Sequence, residues 1–262
     1  MRWLDFLCSF RETLGYLFWS WGGGVVPASD PSCIAHFWDG RFYPSTIRVR
    51  RTLNFWRRWI LTRLESDAVF TAYKKGDIVD VGGAEGWYAI LFAPKLEGKM
   101  LLFEPDRKRV AKLQSNLNSL IRTWPEKDFI LIPFACSDNP KVSMSHNDAG
   151  QFSVAQSSNQ KPAFAAISLD QIVELFQLKP SFIKIDVEGH EMNVLRSGQK
   201  LLRHLQPTLM VEMHGEELQN EVHAFLKTFG YQEEPIFEDG GILRSLFRTS
   251  LDPLRSPRLP EV

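Results

Sequence analysis

Two kinds of hydrophobic pattern alternate along this chain. Short runs of consecutive apolar residues, each closed by a glycine or an acid, are separated by stretches in which apolar residues return every three or four positions. Ile78-Val79-Asp80-Val81, Met100 to Phe103, Phe129 to Ala135, Phe182 to Ile185 and Pro207 to His214 belong to the first kind. They read as strands buried on both faces. Between them, Trp87 to Pro94 starts like a helix, and Pro105-Asp106 opens another with Val110, Leu113, Leu117 and Leu120 as its packing stripe. Ser168 is positioned to cap a short helix carrying Ile172, Val173 and Leu175. A further helix after Asp186 has Val194, Leu195, Leu201, Leu202 and Leu205 on one face. Strands that alternate with helices predict a mostly parallel α/β sheet covered on both sides.

Two segments depart from that rhythm. Lys141 to Ile167 alternates apolar and polar residues around glycine-containing turns, which predicts an inserted hairpin. After residue 214 a helix is followed by Gly230 to Phe237 and Gly241 to Arg248, a hairpin across Asp239-Gly240. The chain thus divides into an aromatic- and arginine-rich helical extension over 1–75, an α/β domain over 76–248, and a proline-containing tail over 249–262 with no packing pattern.

Thr13 to Ala28 is mostly uncharged but shorter than the roughly 20 apolar residues that span a bilayer. It lacks the basic flank and cleavage site of a secretory signal, so it reads as a packing or interfacial helix. From Arg41 to Arg63 there are seven arginines and no acid, with Leu53, Trp56, Ile60 and Leu64 at three- and four-residue steps. This predicts an amphipathic helix whose basic face is either simply solvated or meets an anionic partner: a phosphate-bearing acceptor, a carrier or a membrane surface touched peripherally by residues 1–65.

Composition narrows the class. Lys+Arg and Asp+Glu both number 31, so no charge excess marks a dedicated nucleic-acid binder. Cys8, Cys33 and Cys136 are widely spaced, form no metal-binding pattern, and fit reduced thiols in a cytoplasmic protein. At 262 residues the chain holds one large α/β domain with its extension.

The candidate chemistry lies where the strands end. In an open parallel sheet the carboxyl ends of the strands form the ligand crevice. Asp80 is followed by Gly82-Gly83-Ala84-Glu85-Gly86, a loop whose glycines let the backbone turn and a ligand approach. Glu104 closes the next strand, 18 residues after Gly86, where an acid can hold two ribose hydroxyls; a charge at a helix start is the plainer alternative. Ser137-Asp138 follows the third strand, with Asp138 able either to accept from an adenine amino group or to form a turn with Asn139-Pro140. The fourth strand empties into Asp186-Val187-Glu188-Gly189-His190-Glu191. Lys184 and Glu212 are charges inside apolar runs, which predicts an ion pair between adjacent strands.

Asp-Val-Gly-Gly-Ala-Glu-Gly, the Phe-Glu-Pro of the second strand and Ile-Lys-Ile-Asp-Val-Glu-Gly-His-Glu resemble the FkbM family of S-adenosylmethionine-dependent methyltransferases over residues 76 to 214. Ala84-Glu85 and His190 depart from the commonest family pattern. The resemblance implies a Rossmann-like class I fold with seven strands in the order 3-2-1-4-5-7-6. It implies that Asp80, Gly82 and Gly86 face the methionine part of the cofactor, Glu104 the ribose, and Ser137 or Asp138 the adenine. The expected reaction is methyl transfer to a hydroxyl oxygen of a sugar, glycan or secondary metabolite, with Asp186 as a site carboxylate, His190 or His214 as the base, and Glu188 orienting either one. No metal is assigned. A binding module that has lost catalysis, or a nicotinamide oxidoreductase, would share the glycine loop and Glu104; the third glycine and the hydride-transfer residues of the latter are not evident.

Overall fold

The computed structural model describes residues 34–37, 41–44, 55–146, 152–154 and 163–250, with side chains over 64–142 and 164–250. Two strands, β1 (Ile34–Phe37) and β2 (Arg41–Pro44), pair antiparallel ahead of helix α1 (Phe55–Ala72). The extension is therefore not purely helical. There follow β3 (Asp77–Val81), α2 (Trp87–Phe92), β4 (Lys99–Phe103), α3 (Arg107–Thr123), β5 (Asp128–Ile132), β6 (Ala135–Cys136), β7 (Lys141–His146), β8 (Phe152–Val154) and β9 (Ala163–Ile167). The remainder is α4 (Leu169–Leu175), β10 (Pro180–Ile185), α5 (Glu191–Arg196), α6 (Gln199–His204), β11 (Thr208–His214), α7 (Glu216–Lys227), β12 (Tyr231–Asp239) and β13 (Ile242–Thr249).

Seven strands form one sheet in the order β12-β13-β11-β10-β3-β4-β5, in which β13 alone runs against the direction of the others. Counted by their place in the sheet, this is the order 3-2-1-4-5-7-6. Strand parity divides the core in two. Val79, Leu101, Ile183, Ile185 and Val211 face α4, α5, α6 and α7 through Leu169, Leu195, Leu201 and Leu226. Ile78, Met100, Leu102, Phe182 and Met210 face α1, α2 and α3 through Val69, Phe92 and Leu117. Burial on both sides is why the parallel strands read as continuous apolar runs.

Several boundaries moved for local reasons. The run from Phe129 to Ala135 breaks at Pro133, which has no N–H to donate to a ladder, so β5 stops at Ile132 and β6 joins another sheet. That sheet, β6-β9-β7-β8, contains the predicted insertion as three strands, β7, β8 and β9, beside β6. The single helix expected after Asp186 is two, separated at Ser197–Gly198. Ser197 Oγ accepts from Leu169 N–H (3.1 Å) and donates to Val194 O (2.6 Å), while Asp170 accepts from the N–H groups of Lys200 (3.1 Å) and Leu201 (2.9 Å) at the start of α6. The break lets α4 dock there, and Leu205 turns outward, 42% exposed. Ser168 does cap α4, in a reciprocal box with Gln171.

Of the amphipathic segment predicted over 41–63, Arg41–Pro44 is strand β2 and helix α1 takes up the part from Phe55; Leu64 is 47% exposed and the helix packs instead through Val69, Ala72 and the adjoining Tyr73. Leu53, Thr13 to Ala28, Cys8, Cys33 and the tail beyond residue 250 lie outside the described residues, as do the side chains of the arginine-rich segment. Among the described residues no helix is long and apolar enough to cross a membrane.

Candidate functional site

The chain leaves β3 at Gly82, whose φ of 87° lies in the region that favours glycine. The N–H groups of Gly82 and Gly83 both donate to Phe103 O, at 3.1 and 2.8 Å, and pin the loop to the end of β4. A Cβ on Gly82 would lie 3.0 Å from the carbonyl carbon of Asp186 and closer still to its oxygen. The ends of β3 and β10 therefore meet more closely than any side chain at residue 82 permits.

Glu104, 4% exposed, sits at the end of β4. Its Oε2 accepts from Ala84 N–H (3.0 Å) and its Oε1 from Asp106 N–H (2.9 Å). Burial raises its pKa above the ordinary value although both hydrogen bonds and Arg109 act the other way. The carboxyl group thus braces the glycine loop against the start of α3 while facing a cavity of about 370 Å³. Gly82, Ala84, Glu104 and Arg109 line that cavity together with Asp186, Glu188 and His190. Phe134 and Val142 also line it, so the second sheet helps to close the crevice.

His190 stands just before α5, with Nε2 3.1 Å from Ser137 Oγ. Burial lowers its pKa, against the pull of Asp138 and Glu191 toward the charged form. Ser137 Oγ accepts from Asn139 N–H (3.1 Å), and Asp138 Oδ1 accepts from Asn193 Nδ2 (3.0 Å), so this pair fastens β6 to α5. Among the described residues, Asp80, Gly86, Ser137, Asp138 and His214 are not part of the cavity wall.

Asp80 follows the parity of Ile78 and points under the sheet end. It is fully buried opposite Lys184 in the β3–β10 register. Lys184 Nζ lies 3.5 Å from Asp80 Oδ1 and 3.2 Å from Asp186 Oδ2, donates to Gly82 O (3.1 Å), and rests 5.0 Å from the centre of the Tyr88 ring. Burial works against its charge, but Asp186 and Asp80 outweigh it and hold the pKa above the ordinary lysine value. The ion pair expected between adjacent strands is present twice, each time with another partner. Glu212 faces Arg244 across the β11–β13 register, at 2.7 Å.

Arg244 also reaches Glu65 of α1 (3.2 Å), which itself accepts from the Tyr88 hydroxyl. His214 is enclosed by acids: Nδ1 is 3.2 Å from Glu191 Oε1, and Nε2 is 3.3 Å from Glu188 Oε2 and 3.6 Å from Glu212 Oε1. Burial opposes its charge, yet the hydrogen bonds to Glu188 and Glu191 prevail and push its pKa up to about 10. Burial, and then Asp186, push Glu212 up to about 7. Glu65, Tyr88 and Arg244 gave no sequence signal: they lie in three elements and meet only after folding. Arg109 and Phe134 were also missed, although each closely follows a strand end that was recognised.

Residues 80–233 match the family described as "Methyltransferase FkbM domain". Among solved structures, the chain is similar to a methyltransferase FkbM from Methylobacillus flagellatus KT at 19% identity, with a TM-score of 0.49, over 66% of this chain and 43% of that one. An rRNA methylase from Streptococcus thermophilus matches at 11% identity and a TM-score of 0.45, over 72% and 95% of the two chains. M. capricolum TrmK in complex with S-adenosyl-homocysteine matches at 10% and 0.44, over 73% and 67%. The chain thus spans less than half the length of the first of these proteins. No curated protein matches it. The matched segment runs from Asp80 to Glu233 and takes in the glycine loop, Glu104 and the acidic end of β10, and the chain belongs to the FkbM methyltransferase domain family.

Proposed function

We propose that this methyltransferase uses S-adenosylmethionine to methylate a hydroxyl oxygen of a sugar, glycan or secondary metabolite. The reading is carried by one observation: a single cavity is lined by buried Glu104 together with Asp186, Glu188 and His190. Its volume lies in the range of small-molecule sites. The donor set fits the cofactor. Glu104 has carboxylate lone pairs left beyond those used by Ala84 and Asp106, as ribose hydroxyls require, and Gly82 leaves backbone where a side chain would intrude.

The cofactor supplies a methyl group on an already activated sulfonium. The protein's part is alignment, exclusion of water and removal of the acceptor proton. Of the two histidines, His190 is suited to take that proton. It is in the cavity wall, its lowered pKa keeps the imidazole neutral at pH 7, and Ser137 Oγ holds Nε2. His214 has carboxylates on both nitrogens, which favours the imidazolium and leaves no free lone pair. Asp186, paired with Lys184, keeps a carboxylate at the wall where the acceptor approaches.

Calorimetry with S-adenosylmethionine, its demethylated product and NAD tests the cofactor, and radiolabel transfer to fractionated extract tests for an acceptor. Binding of the first two without NAD is expected. Binding of NAD alone would overturn the reading, and cofactor binding without transfer to any fraction would favour a module that has lost catalysis.

A further inference from the structure

The ends of β10 and β11 gather more negative charge than methyl transfer uses. Asp186, Glu212 and His214 each offer one ligand atom, all within 4.8 Å of one another. Glu188 adds a fourth, with Oε2 3.3 Å from His214 Nε2, and Glu212 Oε1 is 3.6 Å from the same nitrogen. Ligand atoms at right angles on a small divalent ion, each roughly 2.1 Å away, stand about 3.0 Å apart. The separations from His214 Nε2 to Glu188 Oε2 (3.3 Å) and Glu212 Oε1 (3.6 Å) are near that value. Lys184 holds Oδ2 of Asp186, and Arg244 holds Oε1 of Glu212, the same oxygen that faces His214, so Glu212 would bind an ion while still paired to Arg244 or through its other oxygen.

A second observation lies behind the imidazole. Glu191 is fully buried, its Oε1 holds His214 Nδ1 at 3.2 Å, and its Oε2 is buried with no hydrogen-bond partner among the described residues. A carboxylate on one ring nitrogen is how proteins orient an imidazole that binds metal through the other. Nε2 then faces two carboxylate oxygens, a position that a proton holds in the imidazolium and that a metal ion can take in its place. The surrounding charges point the same way. Among the described residues, Asp80, Asp186, Glu188, Glu191, Glu212 and Glu65 are set against Lys184, Arg244 and His214. Oxygen donors with one imidazole suit a hard or borderline divalent ion.

We propose that Asp186, Glu212 and His214, with Glu188 as a further ligand, bind a divalent cation of the Mg²⁺/Mn²⁺ class at the edge of the cavity, and that the acceptor hydroxyl completes its coordination. The second half rests on the methyl-transfer reading; the site itself does not. Entry of the ion releases the proton on Nε2 to solvent, and the coordinated hydroxyl is more acidic than a free one. Its proton then passes more readily to a base such as His190.

Mn²⁺ is the probe, titrated into the full-length, chelator-treated protein and followed by electron paramagnetic resonance. One ion per chain is expected, displaced by Mg²⁺, with ¹⁴N coupling from a bound imidazole in spin-echo spectra of the unmodified protein. Asp186→Asn and His214→Gln should each weaken binding at least tenfold, whereas Glu126→Gln, in the exposed turn between α3 and β5, should leave it unchanged. Absence of stoichiometric binding, absence of nitrogen coupling, or equal affinity in all three variants would each overturn the site. The spin-echo result needs no variant and stands even if a substituted chain fails to fold. Calorimetry with S-adenosylmethionine in chelator separates the two readings. Cofactor binding without Mn²⁺ binding removes the metal and keeps the methyltransferase, and the converse removes the methyl-transfer reading and keeps the metal.

Discussion

Replacing Gly82 by alanine tests the idea that the crevice exists because β3 and β10 come closer than a side chain allows. Gly82 and Gly189 both have strongly positive φ, 87° and 99°, but differ in what a Cβ would meet. At Gly189 nothing lies within 4 Å, so Gly189→Ala costs only the backbone strain of an L-residue there, about 1–3 kcal/mol. At Gly82 the new methyl would fall 3.0 Å from the carbonyl carbon of Asp186, nearer to its oxygen, and 3.5 Å from Val187 Cγ1. That backbone cannot yield easily, since Asp186 N–H donates to Val81 O (3.0 Å) and Gly82 N–H to Phe103 O (3.1 Å). Overpacking adds about 1–3 kcal/mol to the same strain. Gly82→Ala should therefore be less stable than Gly189→Ala by about 1–3 kcal/mol, roughly 2–12 °C in Tm for a domain of this size. Denaturant titration and calorimetry of both variants measure the difference. It should be accompanied by loss of cofactor affinity in Gly82→Ala, because the displaced backbone is cavity wall. Equal stability of the two variants, to within about 0.5 kcal/mol, would refute the close-approach argument, since unrelated surface changes alone reach that size.

Other perturbations address the remaining parts of the site. Glu104→Ala should weaken S-adenosylmethionine binding by about 1–3 kcal/mol, from lost hydrogen bonds to the ligand and from unpaired amides at Ala84 and Asp106; unchanged affinity by calorimetry would remove Glu104 from the site. His190→Ala should lower turnover by about 10²–10⁴ with cofactor affinity retained, and the acidic limb of the unmodified enzyme's rate profile should lie below pH 6.5, because the imidazole must be unprotonated and burial lowers its pKa. His214 has a folded-state pKa of about 10 against an ordinary 6.5, so its charge contributes stability that is fully present below pH 6.5 and lost as pH rises through about 10. The stability gap between the unmodified protein and His214→Gln, measured in chelator, should narrow over that window, and a constant gap would show that the imidazole is not charged. Lys184→Met should cost about 3–5 kcal/mol, since it leaves Asp80 and Asp186 without their shared cation; a neutral result would mean that both acids protonate freely.

What could be read from the chain ahead of its structure was whatever periodicity and strand ends record. The seven-strand order came with the family resemblance, whereas the alternation of strands and helices, the acid at the end of β4, the hairpin at the sheet edge and the cap at Ser168 depend on residues close in sequence. The misses depend on contacts between distant ones. Nothing local announces that Ser197 bonds to the backbone of α4 and so divides one helix into two. The ion pairs show the same limit. Two charges within apolar strands required partners, but the choice of Asp80 for Lys184 and Arg244 for Glu212 is set by ladder register, which the pattern of a single strand does not carry.

Register also explains why the acids of this domain serve two purposes. On β3 and β10, Asp80 and Lys184 share the parity of Ile78 and Phe182 and turn toward α1, α2 and α3, where Tyr88 covers them. Beyond the last paired residue, Ile185, parity no longer constrains the chain, and Asp186 and Glu188 reach the cavity while still tied to Lys184 and His214. The buried charges therefore act as a base plate for the exposed ones. Displacing Lys184 would move Asp186, and displacing Arg244 would move Glu212. Because Arg244 is also held by Glu65, the helix preceding the family-matched segment bears on the same plate. Deleting α1 should then alter the acidic cluster, although none of the described side chains of α1 lines the cavity.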